Sequence, residues 1–342
     1  MRVFVAMSGG VDSSVSLFLL KQQGYEVIGV TLRLDDDYQN PIIKSKQLCK
    51  KLDIEHVVID YRNEFKKEII EVFNKEILHG LTPVPCVACN RKIKLGKLVD
   101  FCMENDAKLA TGHYAKLILI DNEYCVCRAK DKLKDQTHFL CSVKKDNLKN
   151  IIFPLGDKFK SEVFRIAMDN NLIALDEYKE SQEVCFFNGN TYSEYIKSLG
   201  ITEHEGLILH VKTNKKIGTH FGLLKYTIGQ RQGINVAWTE PLYVVKKDYE
   251  NNILYVGEEK YLYSKSLNIK NINILSNNFK TKILNCDVCI RDKTPIVSAN
   301  VNLDMQMKKA TVCLNNPARA ITPGQMCVFY DKDRLLGGGE II

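Results

Sequence analysis

The fold class predicted from the sequence is an α/β parallel sheet followed by a small β-rich linking domain and a C-terminal β-barrel, on three observations. Up to about residue 115, short apolar strands alternate with amphipathic helical stretches. Between the first strand and the first helix stands a turn of glycines and serines. After Gly200, helical periodicity gives way to β-branched and aromatic runs separated by Asn, Gly and Lys turns, the pattern of an all-β second half. A chain of 342 residues exceeds one average domain, and the expected divisions are 1–200, 201–262 and 263–342.

The strand Val3 to Met7 comes first and leads into Ser8-Gly9-Gly10-Val11-Asp12-Ser13-Ser14, after which Val15 to Leu20 reads as an amphipathic helix ending at Gly24. Two glycines let a ligand approach the backbone, Asp12 or Ser13 is placed to cap the helix, and its first N–H groups attract an anion. The lysine of a Walker A loop is missing, so a phosphate would be bound here without it. Further strands are expected at Glu26 to Leu34, His56 to Asp60 and Lys108 to Thr111, with helices near Ile42 to Leu52, Glu64 to Leu78 and Ile93 to Glu104. Helices then cover a parallel sheet whose ligands bind beyond the carboxyl ends of the strands, where Thr111-Gly112-His113-Tyr114 also falls. Residues 115–128 read as a hairpin around Asp121-Asn122, and two helical stretches, Ser161 to Asn170 and Tyr192 to Leu199, flank the loop Ser181 to Phe187. Six β runs follow: Leu207 to Val211, Tyr243 to Lys246, Ile253 to Val256, Thr281 to Ile290, Ala310 to Leu314 and Met326 to Tyr330.

Composition narrows the class. With 45% hydrophobic and 26% charged residues the chain can build cores, which excludes a disordered protein. A net charge of +7 favours an anionic partner, nucleic acid being the common one. No apolar run reaches membrane-span length, and the turn at Ser8 leaves no room for a leader, so a cytoplasmic protein with no membrane partner is expected.

Twelve cysteines in such a compartment point to burial, metal or redox chemistry rather than a disulfide framework. Two pairs have Cys-x-x-Cys spacing, Cys86/Cys89 and Cys286/Cys289, which could in principle make a four-thiolate zinc site. The second pair lies in an expected strand, where residues three apart face opposite ways, so core packing is the better reading for it. Cys86 and Cys89 sit between Pro83-Val84-Pro85 and a helix expected near Arg91. A thiol beside that helix start and the basic Arg91 and Lys92 should have a lowered pKa and be reactive. Cys185, in Glu183-Val184-Cys185-Phe186, lies in a comparable setting.

The motifs SGGVDSS, TPVPCVACNRKIK, TGHYAK, Lys134-Asp135-Gln136-Thr137-His138-Phe139-Leu140, ESQEVCF, Tyr226-Thr227-Ile228-Gly229-Gln230-Arg231-Gln232-Gly233, Pro323-Gly324-Gln325 and LLGGG occur in this order. Together they resemble the bacterial tRNA-specific 2-thiouridylases, members of the PP-loop ATP pyrophosphatase superfamily with an adenine-nucleotide hydrolase-like fold. The resemblance implies a sulfurtransferase that uses ATP and magnesium to adenylate the wobble uridine of tRNA and then replaces its 2-oxygen with sulfur. It implies that Cys185 carries a persulfide, that Cys89 is the nucleophile, and that the two end as a disulfide. ATP would contact Ala6, Met7, Ser8, Gly9, Gly10, Val11, Asp12, Ser13, Leu32 and Gly112, with Asp12 available to magnesium. The tRNA would meet Val84, Pro85, Cys86, His113, Lys134, Asp135, Gln136, Arg291, Asp292 and Gln325. A sulfur-relay or cysteine desulfurase protein would supply the sulfur. Many relatives carry Asp at the position of Cys86 and Asn at that of Val84, and most are longer between Leu34 and Cys49. A second member of the superfamily, a lysidine synthetase, would use the same turn without cysteines, and in a non-catalytic RNA-binding protein the cysteines would hold zinc or nothing.

Overall fold

In the computed structural model, residues 1–36, 39–173, 184–187, 189–276, 283–304 and 306–342 are described. Ser181 to Glu183 of the cysteine loop and Thr281 lie outside them. The N-terminal strands are Arg2–Ala6 (β1), Glu26–Arg33 (β2), Glu55–Asp60 (β3) and Lys108–Ala110 (β4); the hairpin Ala115–Ile120 (β5) and Glu123–Arg128 (β6) follows, then Ile151–Ile152 (β7). They pair in the order β3-β2-β1-β4-β7, all parallel. Alternation along β1 sends Val3 and Val5 into one core and Phe4 into the other, so both faces of the sheet are covered. The chain winds outward from β1 to β3 and then returns to place β4 on the other side of β1. The carboxyl ends of β1 and β4 therefore flank a topological switch point.

Helices on the two faces are Val11–Gln22 (α1), Gln39–Lys51 (α2), Arg62–Phe65 (α3) continuing through a π stretch Lys66–Ile70 into Glu71–Leu78 (α4), and Pro85–Cys89 (α5) continuing through Asn90–Lys97 into Leu98–Glu104 (α6). Lys160–Asp169 (α7) and Tyr192–Ser198 (α8) complete the set. The helix that carries the first cysteine pair, expected to begin near Arg91, instead begins at Pro85, whose fixed φ and missing N–H suit the first helical position. The wide π turn after Cys89 needs Gly96, where a Cβ would stand 2.5 Å from the carbonyl oxygen of Arg91.

The middle unit is a four-stranded sheet of Glu205–His210 (β8), Lys216–Phe221 (β9), Tyr243–Asp248 (β10) and Ile253–Gly257 (β11), ordered β10-β11-β8-β9. The last unit joins Tyr263–Ile274 (β12), Ile283–Cys289 (β13), Val297–Asp304 (β14), Lys309–Arg319 (β15), Met326–Asp331 (β16) and Arg334–Ile341 (β17) into an antiparallel barrel, closed by pairing β12 with β17. Ala299, Val301 and Leu303 point inward from β14 onto Val312 and Phe329. The hairpin β5–β6 formed as expected but extends this barrel sheet rather than the parallel one, with Cys127 opposite Arg334. Among the described residues no helix is long and apolar enough to cross a membrane.

Candidate active site

At the carboxyl end of β1 the Met7 N–H donates to Val30 O at 2.8 Å, which keeps the chain in the sheet until Ser8. Gly9 then takes a φ of +72°, and a Cβ there would stand 3.1 Å from Cα of Pro41, because the start of α2 lies over the turn. The expected side-chain cap on α1 is not made: its N-cap is Gly10, and no side chain bonds to the first amides. The Ser13 and Ser14 hydroxyls donate instead to Gly10 O, both at 2.9 Å, while Ser13 Oγ accepts the Ser8 N–H at 3.2 Å. The serines thus stiffen the turn and leave the α1 amides to a ligand.

Gly112, one residue past Thr111 on the β4 side, faces the start of α1 so closely that a Cβ would come within 3.0 Å of the Asp12 carbonyl carbon. Asp12 itself is held from two sides. The Tyr114 hydroxyl donates to Oδ1 at 2.8 Å, and the Lys160 ammonium bonds both carboxylate oxygens at 2.7 and 2.8 Å. Lys160 was not among the residues singled out from the sequence, since nothing in its neighbourhood announces a role; the packing of α7 on α1 through Val163, Ala167 and Val15 brings it there. A magnesium ion fits here only in company, because Asp12 is the sole carboxylate beside the Ser8 and Ser13 hydroxyls and no cluster of three ligating side chains exists among the described residues. Leu32 lies in the core beneath β2, so its side chain does not line this turn.

The cysteine chemistry departs from expectation. With the helix starting at Pro85, Cys86 and Cys89 lie one turn apart on its first two turns rather than in an extended loop. Val87, Cys89, Phe186 and Phe187 share one core with Phe65 and Phe73, and that shared packing brings the Cys185 turn onto α5. Cys86 and Cys185 stand near enough to Cys89 to raise its pKa, and Cys86 raises that of Cys185 as well. Cys86 and Cys185 open to solvent and Cys89 is covered. None has the lowered pKa expected: burial pushes Cys89 up to about 12 and raises the other two. The opposing charge comes from Lys94, which lowers all three; Arg91 points to solvent and Lys92 pairs with Glu68 at 3.9 Å. All twelve cysteines are free thiols, Cys89 and Cys185 included. Cys286 packs toward the barrel core and Cys289 toward the central one, on opposite faces as the strand pattern requires.

His113 stands beside this group. Burial, and secondarily Lys94, pushes its pKa down to about 3, and Thr111 Oγ1 lies 2.7 Å from its Nδ1, so the ring is neutral. Gln136 Oε1 accepts the Tyr114 N–H at 2.9 Å, and the almost fully buried Asp135 carboxylate accepts from the Ala129 N–H at 2.8 Å and the Thr137 hydroxyl at 2.7 Å. These two side chains therefore shape the Lys134–Thr137 turn from within. The turn meets the barrel, with Thr137 Oγ1 3.1 Å from the Tyr330 hydroxyl and Asp135 close enough to Asp292 to raise its pKa. Arg291 is half-buried and donates to Thr322 Oγ1 at 2.9 Å. Gln325 Nε2 donates to Thr82 O at 2.8 Å, next to Val84, Pro85 and Cys86.

Fold and site together define a phosphate-binding α/β unit that presents a cluster of three thiols beside its switch point and carries two β units behind it. Family models match in the same order: the tRNA methyl transferase HUP domain over residues 1–189, the tRNA methyl transferase PRC-barrel domain over 193–258, and the aminomethyltransferase beta-barrel domain over 264–341. Similar curated proteins include the tRNA-specific 2-thiouridylases of Aquifex aeolicus, 39% identical over 100% of this chain and 99% of that one, and of Rickettsia felis, 39% identical over 99% and 96%. That of Natranaerobius thermophilus is 37% identical over 100% and 97%. The chain belongs to the tRNA-specific 2-thiouridylase family. Membership does not favour the lysidine synthetase reading.

Proposed function

We propose that the protein is an ATP-dependent sulfurtransferase that converts the wobble uridine of tRNA to 2-thiouridine. The observation that carries this reading is the nearness of Cys89 and Cys185, 96 residues apart in the chain, beside Lys94, with Cys89 and the neighbouring Phe186 in one core. A family description that speaks of methyl transfer gives such a thiol pair nothing to do.

A uridine C2 carbonyl has no leaving group until its oxygen is adenylated. The open amides of α1, on a turn that Gly9 and Gly112 let pack closely against its neighbours, suit the triphosphate of ATP, whose pyrophosphate leaves as the C2 oxygen takes the AMP moiety. Asp12, Ser8 and Ser13 would hold magnesium with the phosphates, and the ion would neutralise the charge gathering on pyrophosphate. A persulfide on Cys185 then attacks C2 and AMP departs with the oxygen. Next the Cys89 thiolate attacks the Cys185 sulfur. The S–S bond breaks, the outer sulfur stays on C2, and a Cys89–Cys185 disulfide forms that an external thiol must reduce. Lys94 supports the thiolates at each step, and the neutral His113 can accept a hydrogen bond near the base. A sulfur-relay or cysteine desulfurase donor must reach Cys185, an exposed residue.

The test is mass spectrometry of nucleosides from unmodified tRNA incubated with ATP, magnesium, a persulfide source and either the native protein or Cys185→Ser. The thiolated base is expected only with ATP and the native thiol. ATP split to AMP without thiolation by the native protein would leave the adenylation half standing and remove the sulfur half.

A further inference from the structure

The turn at Ser8 lacks the lysine that phosphate loops usually carry, yet the site does not lack a cation. Lys160 opens α7, and its own N–H donates to Asp131 Oδ2 at 3.0 Å. Its side chain is only 16% exposed and reaches across to Asp12, with the ammonium 5.7 Å from the centre of the Tyr114 ring. Asp12 is the second residue of α1, so the ammonium stands at the edge of the uncapped amides that face the switch point. The ammonium bonds both carboxylate oxygens and so offsets the charge that Asp12 would otherwise set against an incoming triphosphate.

We propose that Lys160 is the phosphate-binding cation of this site, neutralising Asp12 in the free protein and passing to the oxygens of the β- and γ-phosphates when ATP binds. As the ammonium leaves, Asp12 would become available, with Ser8 and Ser13, to the magnesium that accompanies ATP, and no covalent bond changes. Lysine suits the move better than arginine, since a point charge on a flexible stem can change partners without a planar fit. The pyrophosphate end, not the adenosine end, is what Lys160 recognises. This inference rests on the reading of the pocket as an ATP site.

Calorimetric binding of ATP, inorganic pyrophosphate and AMP to the native protein, Lys160→Met, Lys160→Arg, Asp12→Asn and the double variant Asp12→Asn/Lys160→Met tests it. Lys160→Met is expected to weaken ATP and pyrophosphate about 10- to 100-fold while AMP stays within about twofold, and Lys160→Arg to recover part of the loss. The decisive comparison is in the Asp12→Asn background. If Lys160 reaches phosphate, Lys160→Met still costs about tenfold there; if it serves only as the counter-ion of Asp12, the loss vanishes. A vanished loss, or an equal loss for AMP, overturns the proposal while leaving the ATP reading intact. Failure of the native protein to bind ATP or pyrophosphate takes both down. Thermal melting within a few degrees of native for each variant confirms that the site, not the fold, was changed.

Discussion

Lys94 is the residue on which the thiol chemistry turns. Its charge lowers the pKa of Cys86, Cys89 and Cys185 against the opposing effect of burial, and it also helps to keep His113 neutral. The sequence pointed to Arg91 and Lys92 instead, because they follow the cysteines most closely. The reason for the miss is geometric: Cys89 and Lys94 are five apart, which is one turn of the π stretch that begins at Asn90, and no pattern of period 3.6 would align them. Lys94→Met should therefore raise all three thiols. The alkylation rate of Cys185 at pH 8 is expected to fall about three- to tenfold, with the rate profile displaced to higher pH and Lys94→Arg close to native. An unchanged profile in Lys94→Met would remove this role.

The segment Gly80 to Val84 delivers Cys86 to its place. It is held from outside its own unit. Thr82 N–H donates to Pro323 O at 2.9 Å, Gln325 Nε2 donates to Thr82 O at 2.8 Å, and the Tyr249 ring lies so close to Gly80 that a Cβ there would meet it at 2.2 Å. The resemblance gave Gln325 to tRNA, and the hydrogen bond gives it a second task in fixing where α5 begins. Gln325→Leu is expected to leave ATP affinity within about twofold and to slow single-turnover sulfur transfer about tenfold, since a small misplacement of reacting groups costs on that order. Loss of tRNA affinity with an unchanged transfer rate would assign Gln325 to the nucleic acid alone. The LLGGG run shows the same limit on what a sequence can disclose. Read alone it looks like a turn, yet Gly337, with a φ of +141°, lies in β17, because a Cβ there would meet Asn273 O of β12 at 2.1 Å. The strands β9, β12, β14 and β17 went unread, although β14 alternates with Ala299, Val301 and Leu303 inward; the polar residues on its outer face, Ser298, Asn300, Asn302 and Asp304, mask a strand that pairing with β13 and β15 secures.

At the scale of the whole molecule, stability follows from buried histidines as well as from cores. His138 sits in the Thr137–Leu140 turn, 3% exposed, with neither ring nitrogen bonded among the described residues, and burial pushes its pKa down to about 4. The unfolded chain takes up a proton near pH 6.5 that the folded one refuses until far lower pH. This contribution is therefore intact above pH 6.5 and is lost as pH falls toward 4. His138→Leu removes the loss: its stability advantage over native is expected to grow by about 2 kcal/mol between pH 7 and pH 5, read from urea midpoints. A constant difference would show that the ring is protonated or solvated in the native state. His113, His56 and His220, shifted the same way, keep a residual acid sensitivity in the variant. The parallel sheet and the glycine-serine turn were legible in the sequence because each is written locally, whereas the pairing of Cys89 with Cys185 came from the family resemblance and not from any local pattern. The way the three units share residues was not legible.

The hairpin β5–β6 has a consequence in time. Cys127 of β6 pairs opposite Arg334 of β17, and Glu123 beside it bonds the Arg334 guanidinium. A ribosome adding about 5–20 residues per second emits the hairpin some 10–40 s before its partner strand exists. Until β17 is made, the nascent chain holds a hairpin with an open edge at the flank of its nucleotide unit. Synthesis of β17, rather than completion of the first domain, is what closes that edge.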